Sequence, residues 1–215
     1  MAAAPLTKTT LRESAVTFID PAFMIFDLAI LMDKRDKSSD IRSIVDLVKQ
    51  DKIKYGVVHG GSTADYIAFM GHSDTDYRSL MSIMTEQNNL LASVDEGVRR
   101  VRRSTRSQPF VFIGEKQMME YHASRRPCDL TTVHGSDHAG EYHLAVRKNI
   151  DAQIKEKLAE GLNKLNQTGR LTQLYDRWWT YSSQCSSQSS AASTSVAVVT
   201  AVFLSVLSII LSRGQ

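Results

Sequence analysis

A small polar segment between a predicted strand and a predicted helix carries the first residues that could bind a ligand. Residues 55–58, YGVV, form the apolar strand, and residues 59–63, HGGST, follow it. Ser62 or Thr63 can cap the helix, because a hydroxyl accepts from its first amides while the glycines make the turn. The same residue types suit anion capture, because those amides point outward without partners and glycines let a ligand approach closely. Both interpretations stay open on this segment alone.

The composition indicates a folded and mildly basic protein. The 215 residues are 23% charged and 42% hydrophobic, which is enough for one sizeable domain or two small lobes. A net charge of +3 is too small to indicate nucleic acid as a partner. The basic run RRVRRSTR at residues 99–106 is the exception, and we favour a solvated helix end over a phosphate site for it.

The cysteines leave two possibilities open. Cys128 and Cys185 lie far apart and form no CxxC pair, so neither a zinc site nor a thioredoxin-type site is indicated. They are either two buried thiols or one disulfide, and a disulfide requires an oxidising compartment. Asn166 begins the sequon Asn-Gln-Thr, which would be glycosylated only in that compartment.

The end of the sequence predicts a membrane helix. Residues 196–211, VAVVTAVFLSVLSIIL, carry no charge and, with their serine neighbours, reach about the minimum length for spanning a bilayer. We therefore predict a transmembrane helix over residues 196–212, preceded by a Ser-rich linker over residues 186–195. No signal peptide is recognisable after Met1, so we expect Met1 not to be the start of the natural mature protein.

Predicted strands and helices alternate, which is typical of the α/β class. Residue 93 is a predicted N-cap with a glutamate three positions later, the pattern of a capping box. The predicted strands lie within residues 15–32, on both sides of an irregular turn, and at residues 55–58, 109–114 and 142–148. The predicted helices lie at residues 41–50, 65–89 with a loop near 71–76, from 93, 115–126, 151–165 and 171–179, with a loop over residues 129–140.

Several segments together resemble the ligand-binding domains of ionotropic glutamate receptors. In chain order they are APLTKTTLRE at residues 4–13, IRSIVDLVKQDKIKYGVVHGGST at 41–63, EGVRRVRRS at 96–104, FVFIGE at 110–115, EYHASRRPCDL at 120–130, EYHLAVRK at 141–148 and LYDRWW at 174–179. The final apolar segment stands where that family has its last membrane helix. The resemblance runs over nearly the whole chain.

The resemblance implies a two-lobed, periplasmic-binding-protein-like clamshell with a truncated first lobe, followed by one C-terminal transmembrane helix. Its domains would be a partial first-lobe segment and linker at residues 1–40 and a second lobe at 41–141. A hinge strand and helices returning to the first lobe would follow at 142–185, before the linker and the membrane helix.

The resemblance also implies a site for glutamate or a similar amino acid between the lobes. Arg12 would grip the α-carboxylate with its planar fork, and Glu115 would pair with the ammonium. Ser62 and Thr63 would bind the distal carboxylate at the helix start. The ligand-binding set would be Pro5, Thr7, Arg12, Ser62, Thr63, Glu115 and Tyr142.

The same resemblance implies further properties of the intact molecule. Cys128 and Cys185 would form a disulfide, and Asn166 is a glycosylation candidate. We expect an extracellular ligand-binding region at the plasma membrane, other receptor subunits as partners in a tetramer, no cofactor or metal, and no enzymatic activity.

The sequence departs from the family pattern in its middle. LAILMDKRDKSSDIRSIVDL at residues 28–47 runs straight from the first ligand-binding segment into the second, where the family has its pore loop and gate helix. We therefore expect that the chain, as a fragment or a pore-less variant, does not conduct ions alone.

Two alternatives compete with this interpretation. The small residues, polar spacer and apolar tail at the C-terminus also fit a GPI signal on a membrane-tethered amino-acid-binding protein. An enzyme with a metal site at His134, Asp137, His138, Glu141 and His143 is less favoured, because these residues stand in a Gly/Ser segment without a helical HExxH motif.

Overall fold

A mixed six-stranded sheet, in the order β1-β6-β2-β5-β3-β4, forms the centre of the molecule. The computed structural model describes residues 2–35 and 41–185. Its strands are β1 (Ala2–Thr7), β2 (Val16–Asp33), β3 (Lys54–Val58), β4 (Leu90–Leu91), β5 (Phe110–Glu115) and β6 (Leu130–Arg147). Strands β3, β4 and β5 run parallel to one another, whereas β2 is antiparallel to β5 and β6, and β1 is antiparallel to β6.

Seven α-helices connect and cover these strands within the described residues. They are α1 (Thr10–Ala15), α2 (Ser62–Met70), α3 (Thr75–Glu86), α4 (Val94–Arg102), α5 (Lys116–Ala123), α6 (Ala152–Gln167) and α7 (Arg170–Tyr175). A 3-10 helix spans Ile44–Leu47, and a π-helical turn, Asp176–Thr180, continues from α7. Helices alternate with strands along most of the chain, as the α/β prediction requires.

The sheet is buried on both faces where β2 pairs with β5, and the strand residues there divide between two apolar clusters. Alternate residues of a strand point to opposite faces, so Ile30 packs into the cluster that includes α2 and α3, whereas Leu31 packs into the cluster that includes α4 and α5. Both side chains have no exposed surface. Because apolar side chains cover both faces, the sequences of these strands are continuous apolar runs and not alternating apolar and polar residues.

The long strands β2 and β6 extend beyond this core and reach a third apolar cluster. Ile19 and Val146 pack there against Leu162 of α6. The register of the β2–β6 pair shifts between Ile19 and Met24. The two strands therefore contribute residues to the third cluster on one side of this irregularity and to the main core on the other.

Helix α4 confirms the N-cap predicted at Ser93 and forms one half of the predicted capping box. The Ser93 hydroxyl accepts a 3.2 Å hydrogen bond from the amide of Glu96, and the Glu96 carboxylate accepts one of 2.9 Å from the amide of Ala92. The first bond caps the helix, whereas the second involves Ala92, one position before the N-cap, and not the Ser93 amide that a capping box requires.

Three of the predicted secondary-structure segments differ from the structure in type or in length. Residues 130–140, predicted as a loop, form the first half of β6, because pairing with the apolar β2 outweighs the loop preference of their Gly and Ser residues. Residues 16–33, predicted as two strands around a turn, form one strand with register shifts. The helix predicted over residues 41–50 is reduced to the 3-10 helix, although Ile44 and Leu47 are buried as expected.

Two predictions concern residues that the structure does not describe. The linker at residues 186–195 and the membrane helix at 196–212 lie outside the described residues. Among the helices of residues 2–35 and 41–185, none is long and apolar enough to cross a bilayer.

Candidate functional site

One cavity of about 190 Å³ brings together most of the residues predicted to bind a ligand. Its walls come from β1, α1, the end of β3, the start of α2, α4, β5 and α5. The lining residues are Leu6, Thr7, Arg12, Val58, Gly61, Ser62, Thr63, Val94, Phe112, Ile113, Gly114, Glu115, Met118 and Met119. The cavity thus combines a guanidinium, a carboxylate and the start of a helix.

The glycine-rich segment forms the turn from β3 into α2, as predicted. Gly60 has a φ of +64°, a left-handed conformation that glycine adopts without the steric cost of a side chain. Gly61 is the N-cap of α2, and within residues 2–35 and 41–185 no side chain caps this helix. The capping interpretation of Ser62 and Thr63 is therefore wrong: both residues belong to the first turn of the helix and line the cavity. Because Gly61, Ser62 and Thr63 line the cavity, the positive end of the α2 dipole faces the cavity.

Glu115 ends β5 and makes the central hydrogen bonds of the cavity wall. Its Oε1 accepts a 2.6 Å hydrogen bond from the Ser62 hydroxyl, and its Oε2 accepts one from the Tyr142 hydroxyl. Glu115 occupies the N-cap position of α5, yet its side chain makes no capping bond. Its carboxylate is therefore turned to the cavity residues rather than to its own helix.

Tyr142 of β6 lies behind Glu115 and is 4% exposed. Burial, followed by the negative charge of Glu115, raises the pKa of the Tyr142 hydroxyl. The hydroxyl therefore stays protonated and remains a hydrogen-bond donor to Glu115 at neutral pH. Tyr142 does not itself line the cavity, so its role there is to hold the carboxylate.

Arg12 is held at the other side of the cavity by α1 and β1. Thr9 caps α1 by accepting from the Arg12 amide, and one guanidinium nitrogen, Nη1, donates a 3.1 Å hydrogen bond to the carbonyl of Thr7. This bond uses one of five N–H donors of the guanidinium. Thr7 lies opposite Tyr142 in the β1–β6 register, which links the two sides of the cavity through neighbouring strands.

Six of the seven predicted binding residues thus meet at this place. Thr7, Arg12, Ser62, Thr63 and Glu115 line the cavity, and Tyr142 contacts it through Glu115. The backbone of Pro5 lies in β1, two positions before Thr7. The sequence prediction missed the apolar part of the wall, above all Met118 and Met119, because nothing distinguishes these methionines from ordinary core residues of an amphipathic helix.

The other predicted sites lie apart from the cavity. Cys128 and Cys185, the two cysteines of the chain, are disulfide-bonded, as the resemblance implied. Asn166 is exposed near the end of α6, where a sequon would be accessible. Within residues 2–35 and 41–185 no group of three His, Cys, Asp or Glu side chains could hold a metal ion; the side chain of His138 is outside this description.

The fold and this cavity define a solute-binding protein of the mixed α/β, periplasmic-binding-protein-like type. The sequence profile of the bacterial extracellular solute-binding proteins, family 3, matches residues 1–181. The chain belongs to this family, and its similarities place it with the ionotropic glutamate receptors, which confirms the relationship expected from the sequence.

Three relatives document this placement. The chain is 32% identical to glutamate receptor 3 of Homo sapiens over 163 residues, which is 75% of this chain and 18% of the receptor. It is 31% identical to glutamate receptor 3 of Mus musculus over 164 residues, again 75% of this chain and 18% of the receptor. A solved structure, that of Drosophila muscle GluRIIB in complex with glutamate, superposes with a TM-score of 0.69 and 31% identity, covering 82% of this chain and 67% of that chain.

Proposed function

We propose that this chain binds glutamate or a related amino acid in the cavity between Arg12 and the start of α2. The observation that carries the proposal is that Thr7, Arg12, Ser62, Thr63 and Glu115, far apart in sequence, line one cavity. Its volume of about 190 Å³ lies below the roughly 300–1,000 Å³ of sites for drug-sized ligands. A ligand of amino-acid size suits such a space.

The charges of the wall complement an amino acid with two carboxylates. The forked guanidinium of Arg12 would take the α-carboxylate through two parallel hydrogen bonds. Thr7 would supply its amide and hydroxyl beside it, and Pro5 its carbonyl. Glu115 would accept from the ammonium group, with Tyr142 holding its carboxylate in place.

The distal carboxylate would lie at the start of α2. Ser62 and Thr63 supply amides there and Thr63 supplies a hydroxyl, whereas the single hydroxyl proton of Ser62 is donated to Glu115. The helix dipole favours a negative charge at this end. Among the described residues no side chain caps this helix start, so a carboxylate of the ligand would satisfy its amides.

On the scale of the whole protein, we infer that the chain is the ligand-binding portion of a glutamate-gated channel subunit. The chain spans 18% of the length of the human glutamate receptor 3 that it matches, so this role rests on similarity to part of a receptor. It would assemble with other subunits at the plasma membrane, held by the helix at residues 196–212. The ligand-binding region would be extracellular and Asn166 glycosylated.

The proposed division of the domain follows the same relationship. Residues 1–40 and 142–185 would contribute to the first lobe and hinge, and residues 41–141 would form the second lobe. Closure of such lobes around the ligand would be the movement that a receptor transmits to its membrane segments.

The binding proposal is tested by measuring radiolabelled glutamate bound to the purified full chain in detergent. Saturable binding that unlabelled glutamate displaces would support it, and an unrelated cationic amino acid such as lysine should not displace the label. Absence of saturable binding by folded protein, as judged by thermal unfolding, would refute the proposal.

The expected lack of conductance is tested separately. Residues 28–47 join the two ligand-binding segments directly, so the chain expressed alone in cells without other receptor subunits should give no glutamate-evoked current. A current that depends on this chain as the only addition would show that the pore-less interpretation is wrong.

A further inference from the structure

The ring of Tyr142 stacks on two phenylalanines of β2. Its centroid is 4.6 Å from that of Phe26 at an interplanar angle of 26°, and 6.1 Å from that of Phe23 at 29°. Tyr142 and Phe26 are both buried. Because the Tyr142 hydroxyl donates to Glu115, the position of the ring decides where this donor meets the carboxylate.

Phe26 also lies over a glycine of the neighbouring strand. Phe26 and Gly140 are direct partners in the β2–β6 register. A Cβ atom added to Gly140 would come 2.7 Å from Cζ of Phe26 and 3.1 Å from Cγ2 of Thr7. The first distance is too short for real carbon atoms, so any larger residue at position 140 would displace the Phe26 ring.

Phe26 is not among the residues that line the cavity, but its neighbours connect it to both Glu115 and Arg12. The Phe26 ring stacks on Tyr142, whose hydroxyl donates to Glu115. The ring also fills the space over Gly140, next to the side chain of Thr7. The carbonyl of Thr7 in turn accepts a hydrogen bond from Arg12. Rings in offset stacking attract each other by more than their buried area alone accounts for, so the stack fixes Tyr142 more firmly than simple burial would.

We propose that Phe26 is a positioning residue for ligand binding, which acts through Tyr142 on Glu115 and needs Gly140 to make room for its ring. This inference rests on the proposed binding of glutamate. Phe26 makes no contact with the ligand. Its effect is to keep the carboxylate of Glu115 in the orientation that an ammonium group requires.

The first experiment measures glutamate binding to the full chain carrying Phe26→Leu. We expect the affinity to fall by about two- to tenfold, the range for loss of one aromatic pair. Phe110→Leu is the matched control: Phe110 is also a buried phenylalanine of the sheet, but it does not line the cavity. It should lower the melting temperature to a similar degree and leave glutamate affinity unchanged.

A double-mutant cycle then separates positioning from general stability. In the Tyr142→Phe background, Phe26→Leu should have little further effect on affinity, because the hydroxyl that Phe26 positions is already gone. Equal effects of Phe26→Leu in both backgrounds would overturn the inference, as would equal losses of affinity in Phe26→Leu and Phe110→Leu.

Gly140→Ala provides a second variant that leaves Phe26 in place but pushes its ring away from its present position. It should weaken glutamate binding, and the loss should be smaller in the Phe26→Leu background, where the ring is absent. If Phe26→Leu does not fold, unchanged affinity in Gly140→Ala overturns the inference. A wild-type chain that binds no glutamate would instead refute the proposed function.

Discussion

Ser62 and Glu115 are joined by a 2.6 Å hydrogen bond although they lie 53 positions apart in the sequence. The bond connects the start of α2 with the end of β5, and both residues line the same cavity. A hydroxyl that donates to a carboxylate forms one of the stronger hydrogen bonds available to a protein. The two parts of the proposed site that would bind opposite charges of the ligand are therefore also bound to each other.

The first prediction concerns the stability that this bond contributes. Ser62→Ala should lower the free energy of unfolding by about 1.5–3 kcal/mol, the range for a hydrogen bond to a charged group. Urea-induced unfolding of the full chain in detergent, followed by tryptophan fluorescence, measures this. Ser82→Ala is the matched control, because the Ser82 hydroxyl donates a 2.7 Å bond to Glu86 on the exposed surface of α3. A loss in Ser62→Ala no larger than that in Ser82→Ala would show that the cavity bond adds no stability.

The residues around this bond show what the sequence predicts well. The turn and helix start at Ser62 follow from local chemistry, since the glycines and the change from strand to helix lie within a few residues of one another. The N-cap of α4 at Ser93 was predictable for the same reason. The pairing of the two cysteines and the presence of Arg12 and Glu115 in one cavity depended on the order of several segments, which no single motif specifies.

Other features depend on contacts that are distant in sequence. The first half of β6 contains Gly135 and Gly140, which locally favour a loop, and it is a strand because β2 pairs with most of it, with two register shifts. The bonds of Glu115 to Ser62 and Tyr142 could not be predicted, because its position at the end of a strand is equally typical of an N-cap. The stack of Phe26 on Tyr142 could not be predicted either, because Phe26 stands in an apolar stretch of sequence that is typical of any buried strand.

The second prediction concerns the pH dependence of stability at Asp33. The side chain of Arg35 donates hydrogen bonds of 2.9 and 2.6 Å to the buried Asp33 carboxylate and lowers its pKa. A lowered pKa means that the ionised carboxylate stabilises the folded protein above the unfolded value of about 4. This contribution is lost as the pH falls through the lower pKa of the folded state.

Asp33→Asn tests this sign directly. At pH 7 the variant should be less stable than the wild type by about 1 kcal/mol, a small value because Arg35 is largely exposed and solvent screens the pair. At pH 3 the difference should shrink. Urea unfolding at both pH values measures it, and a difference that grows on acidification would contradict the predicted sign. Arg35→Gln should also lower the stability at pH 7, because it removes the side-chain hydrogen bonds that are the largest cause of the lowered pKa of Asp33.

The third prediction concerns the disulfide. Cys128 and Cys185 close a loop of about 57 residues, for which the chain-entropy model gives roughly 4 kcal/mol of stabilisation. The double variant Cys128→Ser/Cys185→Ser should lose an amount of this order in urea unfolding. A reducing agent should lower the stability of the wild type to the level of the variant and leave the variant unchanged. Equal stability of the oxidised wild type and the variant would contradict the prediction.

The last prediction concerns Arg12, the most specific residue of the proposed site. Arg12→Lys keeps the positive charge but replaces a planar fork by a single ammonium group, which cannot form two parallel hydrogen bonds with a carboxylate. Loss of a buried charge-assisted contact costs about 2–5 kcal/mol, a factor of tens to thousands in affinity. We therefore expect glutamate affinity of the full chain to fall by at least tenfold, measured with radiolabelled glutamate.

Arg102→Lys is the control for this substitution. Arg102 is also partly buried and donates to a carboxylate, that of Asp129, through its Nε atom at 3.2 Å, but it does not line the cavity. It should leave glutamate affinity unchanged, whereas both variants should keep a melting temperature near that of the wild type, because each retains its charge. Glutamate binding that is the same in wild type, Arg12→Lys and Arg102→Lys would show that Arg12 does not hold the ligand, even though its guanidinium lies in the cavity wall beside Thr7.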